Sequence, residues 1–311
     1  MSRGSVRAGS LVALAACCAA FAGGCGGGSG HASITLYNGQ HTKLTSSLAA
    51  AFEKATGVKV RIRTNDSAVL ADQIIQEGDV SPADVYLSEN SPELMELQRR
   101  GLLARLPQSI LRRVPGADAS PTGHWVGMAL RVSSLVYDPA RVPRSQLPAS
   151  ILDFAQPQWK GKIAIAPTDS DFPPLVGAVI ATHGEAAARD WLTGLKRNAR
   201  IYQDEEAIVA AVNRGDVTSG VINQYYWYRL QLELGNQAMH SALYYFSAND
   251  VGAVINIAGA AVLTSSKQQK NAERFISFLV GKAGQRVIAR SDDFEYPVRP
   301  DVAPNGALPP L

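Results

Sequence analysis

An α/β fold with largely parallel strands is what this sequence predicts, on three observations. Strand-like apolar runs alternate with amphipathic helical stretches from Ser33 onward, glycines close several of the helices, and strand ends lead into polar loops. In the first series, residues 34–38 read as a strand, 43–56 as a helix closed by Gly57, 58–63 as a strand, 69–77 as a helix and 84–88 as a strand. Ser91-Pro92-Glu93 then opens a helix that runs to Arg100 and stops at Gly101. Serine suits the N-cap, and proline suits the first helical position, where its missing amide is no loss. The second series follows Lys160: a strand over 162–166, helices over 175–182, 186–198 and 205–214, and a strand over 217–223. Between the two series lie 125–137 and a proline-rich stretch, 139–157; a later extended run, 252–263, precedes a helix over 271–280. The runs 131–137 and 254–260 are expected to be strands that cross between two lobes. One lobe then takes 33–131 with 257–285, and the other takes 132–256 with 286–311.

Composition supports a folded chain of this size. Of 311 residues, 46% are hydrophobic and 18% charged, enough apolar surface for a sizeable core and too little charge for wholesale disorder. The formal net charge of +3 includes Arg3 and Arg7 of a removable leader, so the remainder is close to neutral. Nothing in that balance points to nucleic acid.

Residues 1–25 read as an export signal, with Arg3 and Arg7 as a basic head and a small-residue apolar run over 10–23 that is too short to span a membrane. All three cysteines, Cys17, Cys18 and Cys25, lie inside this segment. The mature chain therefore has no disulfide, thiolate metal site or cysteine nucleophile. Cysteine at the end of such a signal resembles a bacterial lipobox. Leu14-Ala15-Ala16-Cys17 fits the consensus better, but Cys25 leaves an apolar run of ordinary length and precedes a Gly/Ser tether over 26–32. Cys25 is the expected lipidation site, with ordinary secretion and cleavage near Gly30 as the alternative.

Ligands of open α/β sheets sit beyond the carboxyl ends of the strands. Those positions here carry Gly39-Gln40-His41, Glu89-Asn90, Pro167-Thr168-Asp169-Ser170-Asp171 and Gln224-Tyr225-Tyr226. Singly, each has a plain structural role: a loop histidine faces solvent, a carboxylate favours a helix N-terminus, and an aromatic cluster such as Tyr225-Tyr226-Trp227-Tyr228 belongs to a core. Tyr244-Tyr245, in an extended apolar run, is expected to be structural. Together the strand-end residues make coherent chemistry for Fe³⁺, a hard ion that prefers anionic oxygen. Two tyrosinates and one carboxylate neutralise its charge, and an imidazole adds a fourth donor. A phenol with a pKa near ~10 must lose its proton to bind, so affinity should fall in acid.

The stretches 34–41 (Ile-Thr-Leu-Tyr-Asn-Gly-Gln-His), 81–89 (Ser-Pro-Ala-Asp-Val-Tyr-Leu-Ser-Glu), 157–163, 221–227 (Val-Ile-Asn-Gln-Tyr-Tyr-Trp) and 259–263 carry a family likeness. The sequence resembles the bacterial periplasmic ferric-ion-binding proteins, the type II two-lobed binding proteins of iron ABC importers, over nearly all of 33–296. The resemblance implies two lobes, each a central mixed sheet flanked by helices, joined by two crossover strands. It implies a monomer that serves a permease and an ATPase subunit. It places the metal on His41 and Glu89 from one lobe and on Tyr225 and Tyr226 from the other. A synergistic anion, phosphate or carbonate, would meet Asn90, the Asp169-Ser170-Asp171 loop, the Glu205 position and Asn223.

The chain departs from that pattern by placing Asp169, Asp171 and Glu205 where small or neutral residues are common. Three carboxylates repel phosphate unless cations compensate; either one of them is a direct iron ligand or all three face solvent. Arg131 either supports a carbonate or bridges the lobes. The rival class is a mononuclear non-haem iron enzyme, which needs two histidines and a carboxylate. Of His31, His41, His124, His183 and His240, only His41 follows a strand end, and no catalytic or nucleotide-binding motif is present.

Overall fold

The alternation read from the sequence becomes one continuous path of strands in the computed structural model, which describes residues 32–311. The export signal, Cys25 and all but the last residue of the tether lie outside the described residues. In chain order the elements are β1 (Ser33–Asn38), α1 (Thr42–Thr56), β2 (Lys59–Thr64), α2 (Ser67–Glu77), β3 (Val85–Ser88), α3 (Ser91–Arg99) and the short α4 (Gln108–Leu111). The long strand β4 (Val126–Tyr137) follows, then β5 (Ile163–Ile165), α5 (Phe172–Asn198), β6 (Ala199–Ile201), α6 (Glu205–Arg214), β7 (Ser219–Asn223) and α7 (Gln224–Leu234). The chain ends with β8 (Ala242–Tyr244), β9 (Ile255–Val262), α8 (Gln269–Leu279), α9 (Lys282–Ala289) and β10 (Tyr296–Pro297).

The strand order is β2-β1-β3-β9-β4-β7-β5-β6. β1 pairs parallel with β2 and β3, and β5 pairs parallel with β6 and β7, the expected βαβ halves. The pairings around the crossover are antiparallel: β9 with β3 and β4, and β7 and β8 with β4. Each sheet is therefore mixed, and less parallel than the alternation alone suggested. β4 is shared: residues 126–132 pair with β9 in the first sheet, and 133–137 pair with β7 in the second. All twelve of its residues are buried, so it reads as an unbroken apolar run interrupted by Arg131 and two serines.

The expected boundaries hold within a few residues for most elements. Helices 175–182 and 186–198 form one stretch broken at Gly184, whose φ of 85° lies outside the helical region, so the chain kinks there. α9 was not anticipated. The larger difference concerns the C-terminal segment 286–311, expected with the second lobe. β10 instead pairs with Leu130 and Ala129 in the first-lobe half of β4. Ile288, Phe294, Tyr296, Val298 and Leu308 are buried in the same core as Ile34, Leu36 and Phe52. A segment with that many apolar residues goes where an open sheet face needs covering, and the first-lobe sheet offers one.

Candidate metal centre

The first half of the site is built on the β1–α1 turn and the end of β3. The Asn38 side chain closes the turn on itself: its Oδ1 accepts from the Gln40 amide at 3.2 Å and from Thr45 Oγ1 at 2.8 Å, and its Nδ2 donates to the Gln40 carbonyl at 2.7 Å. Gly39 is required there because a Cβ would sit 2.2 Å from Ser67 Oγ. This delivers His41 at the N-cap position of α1. The Glu89 amide donates to the same Ser67 Oγ at 3.0 Å, so one hydroxyl at the start of α2 ties the His41 loop to the Glu89 loop. Ser67 is a positioning residue that the sequence reading missed, since it lay ahead of the helix expected over 69–77.

The second half is the start of α7. Gln224 Oε1 accepts from the Val132 amide at 2.7 Å, which pins the helix to the crossover strand. Tyr225 and Tyr226 stand side by side, ring centroids 4.0 Å apart and inclined at 30°, so neighbours on the first turn share one cleft. Tyr225 is fully buried, whereas Tyr226 lines a cleft of about 380 Å³ beside His41 and Glu89.

The halves meet at Glu89. Its Oε1 accepts from the Tyr225 hydroxyl at 3.4 Å, lies 3.3 Å from His41 Nε2 and 2.7 Å from Arg131 Nη1. The Tyr225 hydroxyl also lies 3.3 Å from Asp171 Oδ2. Arg131 is fully buried and settles between the lobes: Nη2 donates to Asn90 Oδ1 at 2.7 Å and to the Glu89 carbonyl, and pairs with Asp171 Oδ1 at 3.3 Å. Asn90 Nδ2 spans the same gap, donating to the Ser170 carbonyl at 3.0 Å and to Asp171 Oδ1 at 3.1 Å.

The acidic departures turn inward. Asp171 and Glu205 are buried. Asp169 caps backbone, its oxygens accepting from the amides of Asp171 and Glu205 at 3.1 Å each. Glu205 Oε2 accepts from the Asn223 amide at 2.5 Å, and Asn223 Oδ1 accepts from Asn256. Of the three, only Asp171 reaches the tyrosine hydroxyl. Ser170 contributes its carbonyl to the lobe contact.

Burial and charge set the proton affinities. Burial pushes the Glu89 carboxyl up, but Arg131 and His41 outweigh it and hold it at about 2. Burial opposes a charge on His41, but the carboxylates of Asp293 and Glu89, each 3.3 Å from a ring nitrogen, overcome it and raise the imidazole to about 10. Burial raises both Tyr225 and Tyr226 well above their ordinary value, helped for Tyr225 by the Tyr226 phenol and Asp171 and for Tyr226 by Asp171 and Glu205. Burial and Asp171 push Asp169 up to about 6, and burial raises Asp171 and Glu205. The imidazole is therefore a cation before a metal arrives and sheds a proton to become a ligand.

Two further carboxylates were missed. Asp293 Oδ1 lies 3.3 Å from His41 Nδ1, and Glu295 accepts from Gln40 Nε2 at 3.1 Å. No motif marks them; they reach the site because the C-terminal segment joins the first lobe. The other described histidines stay apart: half-buried His124 and exposed His183 each bond a threonine hydroxyl, and His240 is exposed. Tyr244 donates to the Pro148 carbonyl and Tyr245 lies near Tyr228, both structural as expected. Among the described residues no group of three or more His, Cys, Asp or Glu side chains is arranged to hold a metal ion by itself.

The geometry has close counterparts. Residues 35–291 match the family model for bacterial extracellular solute-binding proteins. An Fe(3+)-binding periplasmic protein of Serratia marcescens is 39% identical over 96% of this chain and 89% of its own length. The major ferric iron-binding protein of Neisseria meningitidis is 39% identical over 90% of this chain and 85% of its own. Iron-bound HitA from Pseudomonas aeruginosa superposes with a TM-score of 0.86 at 40% identity, covering 90% of each chain. With that extent of identity and the same two-lobed sheet path, this chain belongs to the bacterial extracellular solute-binding proteins, in the ferric-ion-binding group.

Proposed function

We propose that this protein captures ferric iron between its lobes, on His41, Glu89, Tyr225 and Tyr226, and delivers it to the permease and ATPase of an ABC importer. It works as a binding protein of transport, as its relatives do, and not as an enzyme. The observation that carries this reading is convergence on one atom: His41 Nε2 and the Tyr225 hydroxyl both lie within 3.4 Å of Glu89 Oε1, from three separate elements and two lobes. Fe³⁺ is strong enough as a Lewis acid to displace the phenolic protons; Ca²⁺ and Mg²⁺ do not repay that cost.

The fifth position falls to Asp171 in this reading. Its Oδ2 faces the Tyr225 hydroxyl while its Oδ1 is held by Arg131 and Asn90, which is where an exogenous anion would find its donors. Asp169 and Glu205 hold backbone amides and are not ligands. Arg131 already faces Glu89, Asp171 and Glu295, so phosphate or carbonate would add charge to a cleft that is acidic before iron binds. The protein acts outside the cytoplasm as a monomer, tethered to the membrane through Cys25.

Tyr225→Phe and Tyr226→Phe test the site. Each should weaken iron binding by more than the roughly 10–100-fold that follows loss of an outer hydrogen-bond partner, and each should shift or abolish the visible tyrosinate-to-iron band. Tyr244→Phe should change neither. Ordinary colour and affinity in Tyr226→Phe would refute the four-ligand site.

A further inference from the structure

The turn after α9, on which none of the four proposed ligands lies, also reaches the site. Phe294, at its centre, is the one non-glycine residue among those described with a positive φ, 50°, a conformation that L side chains rarely adopt. Two contacts hold it there: its ring stacks on Tyr228 with centroids 5.4 Å apart, and its carbonyl accepts from Gln224 Nε2 at 2.9 Å. Both partners belong to α7, the helix that carries the tyrosines. The step through Phe294 sets the carboxylates on either side. Glu295, fully buried, meets Gln40 Nε2, and Asp293 lies against His41. Asp292 points away and pairs with Lys43 at 2.6 Å, both side chains more than half exposed.

We infer that Asp293 is a positioning residue for metal binding: it holds His41 Nδ1–H so that Nε2 faces Glu89 and the ion. The Nδ1–Oδ1 separation is 3.3 Å, the Asp293 side chain is 10% exposed, and His41 is its one ion-pair partner among the described residues. A ligating histidine whose second nitrogen donates to a carboxylate has a fixed tautomer, a fixed ring plane and a more basic ligating nitrogen. The phenylalanine turn makes the arrangement more than local. One backbone conformation orients the histidine of the first lobe and braces the start of the tyrosine helix.

The inference rests on the iron site proposed above, and the experiment separates the two. Iron affinity is measured by citrate competition for the full chain and for Asp293→Ala, Asp293→Asn, Asp292→Ala, His41→Ala and the His41→Ala/Asp293→Ala double variant. Asp293→Ala should lose about 10–100-fold, Asp293→Asn less because its amide oxygen still accepts the Nδ1–H, and Asp292→Ala should bind as the parent does. In the double variant the loss should equal that of His41→Ala alone, since a residue acting through the imidazole has nothing left to orient. With gallium(III) as a diamagnetic trivalent probe, the His41 Nδ1–H proton should give a slowly exchanging resonance that Asp293→Ala abolishes. Full affinity in Asp293→Ala, or additive losses in the double variant, would overturn the inference. If His41→Ala itself bound iron normally, the site reading would fail first.

Discussion

Iron capture should release about three protons at neutral pH, and the count follows from three side chains. Tyr225 and Tyr226 hold their phenolic protons because burial, then nearby carboxylates and, for Tyr225, the adjacent phenol, push both well above their ordinary value. His41 carries a second proton up to about 10. Glu89, held near 2, has none to give. A group whose pKa in the iron-free protein lies above the working pH must shed its proton to become a ligand, so binding strengthens as pH rises and weakens as it falls. Three such groups make the affinity fall about 10³-fold per unit of acidification, about 4 kcal/mol. Asp171, whose carboxyl is also raised by burial, is the group able to add to that count. The assay adds ferric nitrilotriacetate to weakly buffered protein between pH 6 and 8, with the chelator's own proton uptake subtracted. Tyr226→Phe should lower the count by one. Release of one proton or fewer from the parent protein would show that the phenols are not ligands, and the proposed site would fall with them.

Three further outcomes are expected. Iron titrated in phosphate-free, carbonate-depleted buffer should bind nearly as tightly as with either anion restored, and Asp171→Ala should make the affinity anion-dependent; a large gain from phosphate in the parent protein would refute Asp171 as its substitute. Arg131→Met removes the buried cation that Glu89 and Asp171 share, which should cost about 3–5 kcal/mol and lower the melting temperature of the iron-free protein by roughly 10 °C; an unchanged melt would mean the carboxylates are neutral in the fold. Cys25→Ser should move the protein from the membrane to the soluble fraction with iron binding intact, and Cys17→Ser should not.

The sequence alone determined the α/β alternation and, with the family resemblance, named four candidate ligands at strand ends. Both follow from short-range rules: periodicity marks strands and helices, and loops at the carboxyl ends of strands carry the chemistry. Tyr225 and Tyr226 belong to an aromatic cluster that by itself reads as core; their place after a strand end and the family resemblance marked them. The inward turn of Asp171 and Glu205 was not legible, because an acidic loop reads the same whether it faces solvent or a buried guanidinium. Arg131 decided that matter. Placed at the step between the two halves of β4, it draws Glu89 and Asp171 onto one charge, and nothing local to any of the three foretells the meeting. Asp293 and Glu295 were equally hidden: they act on residues more than 150 positions away, through a C-terminal segment whose apolar residues complete the first-lobe core. Local pattern therefore set the elements and the candidate ligands, while the partners that fix each side chain's charge and direction came from long-range packing, which no window of sequence records.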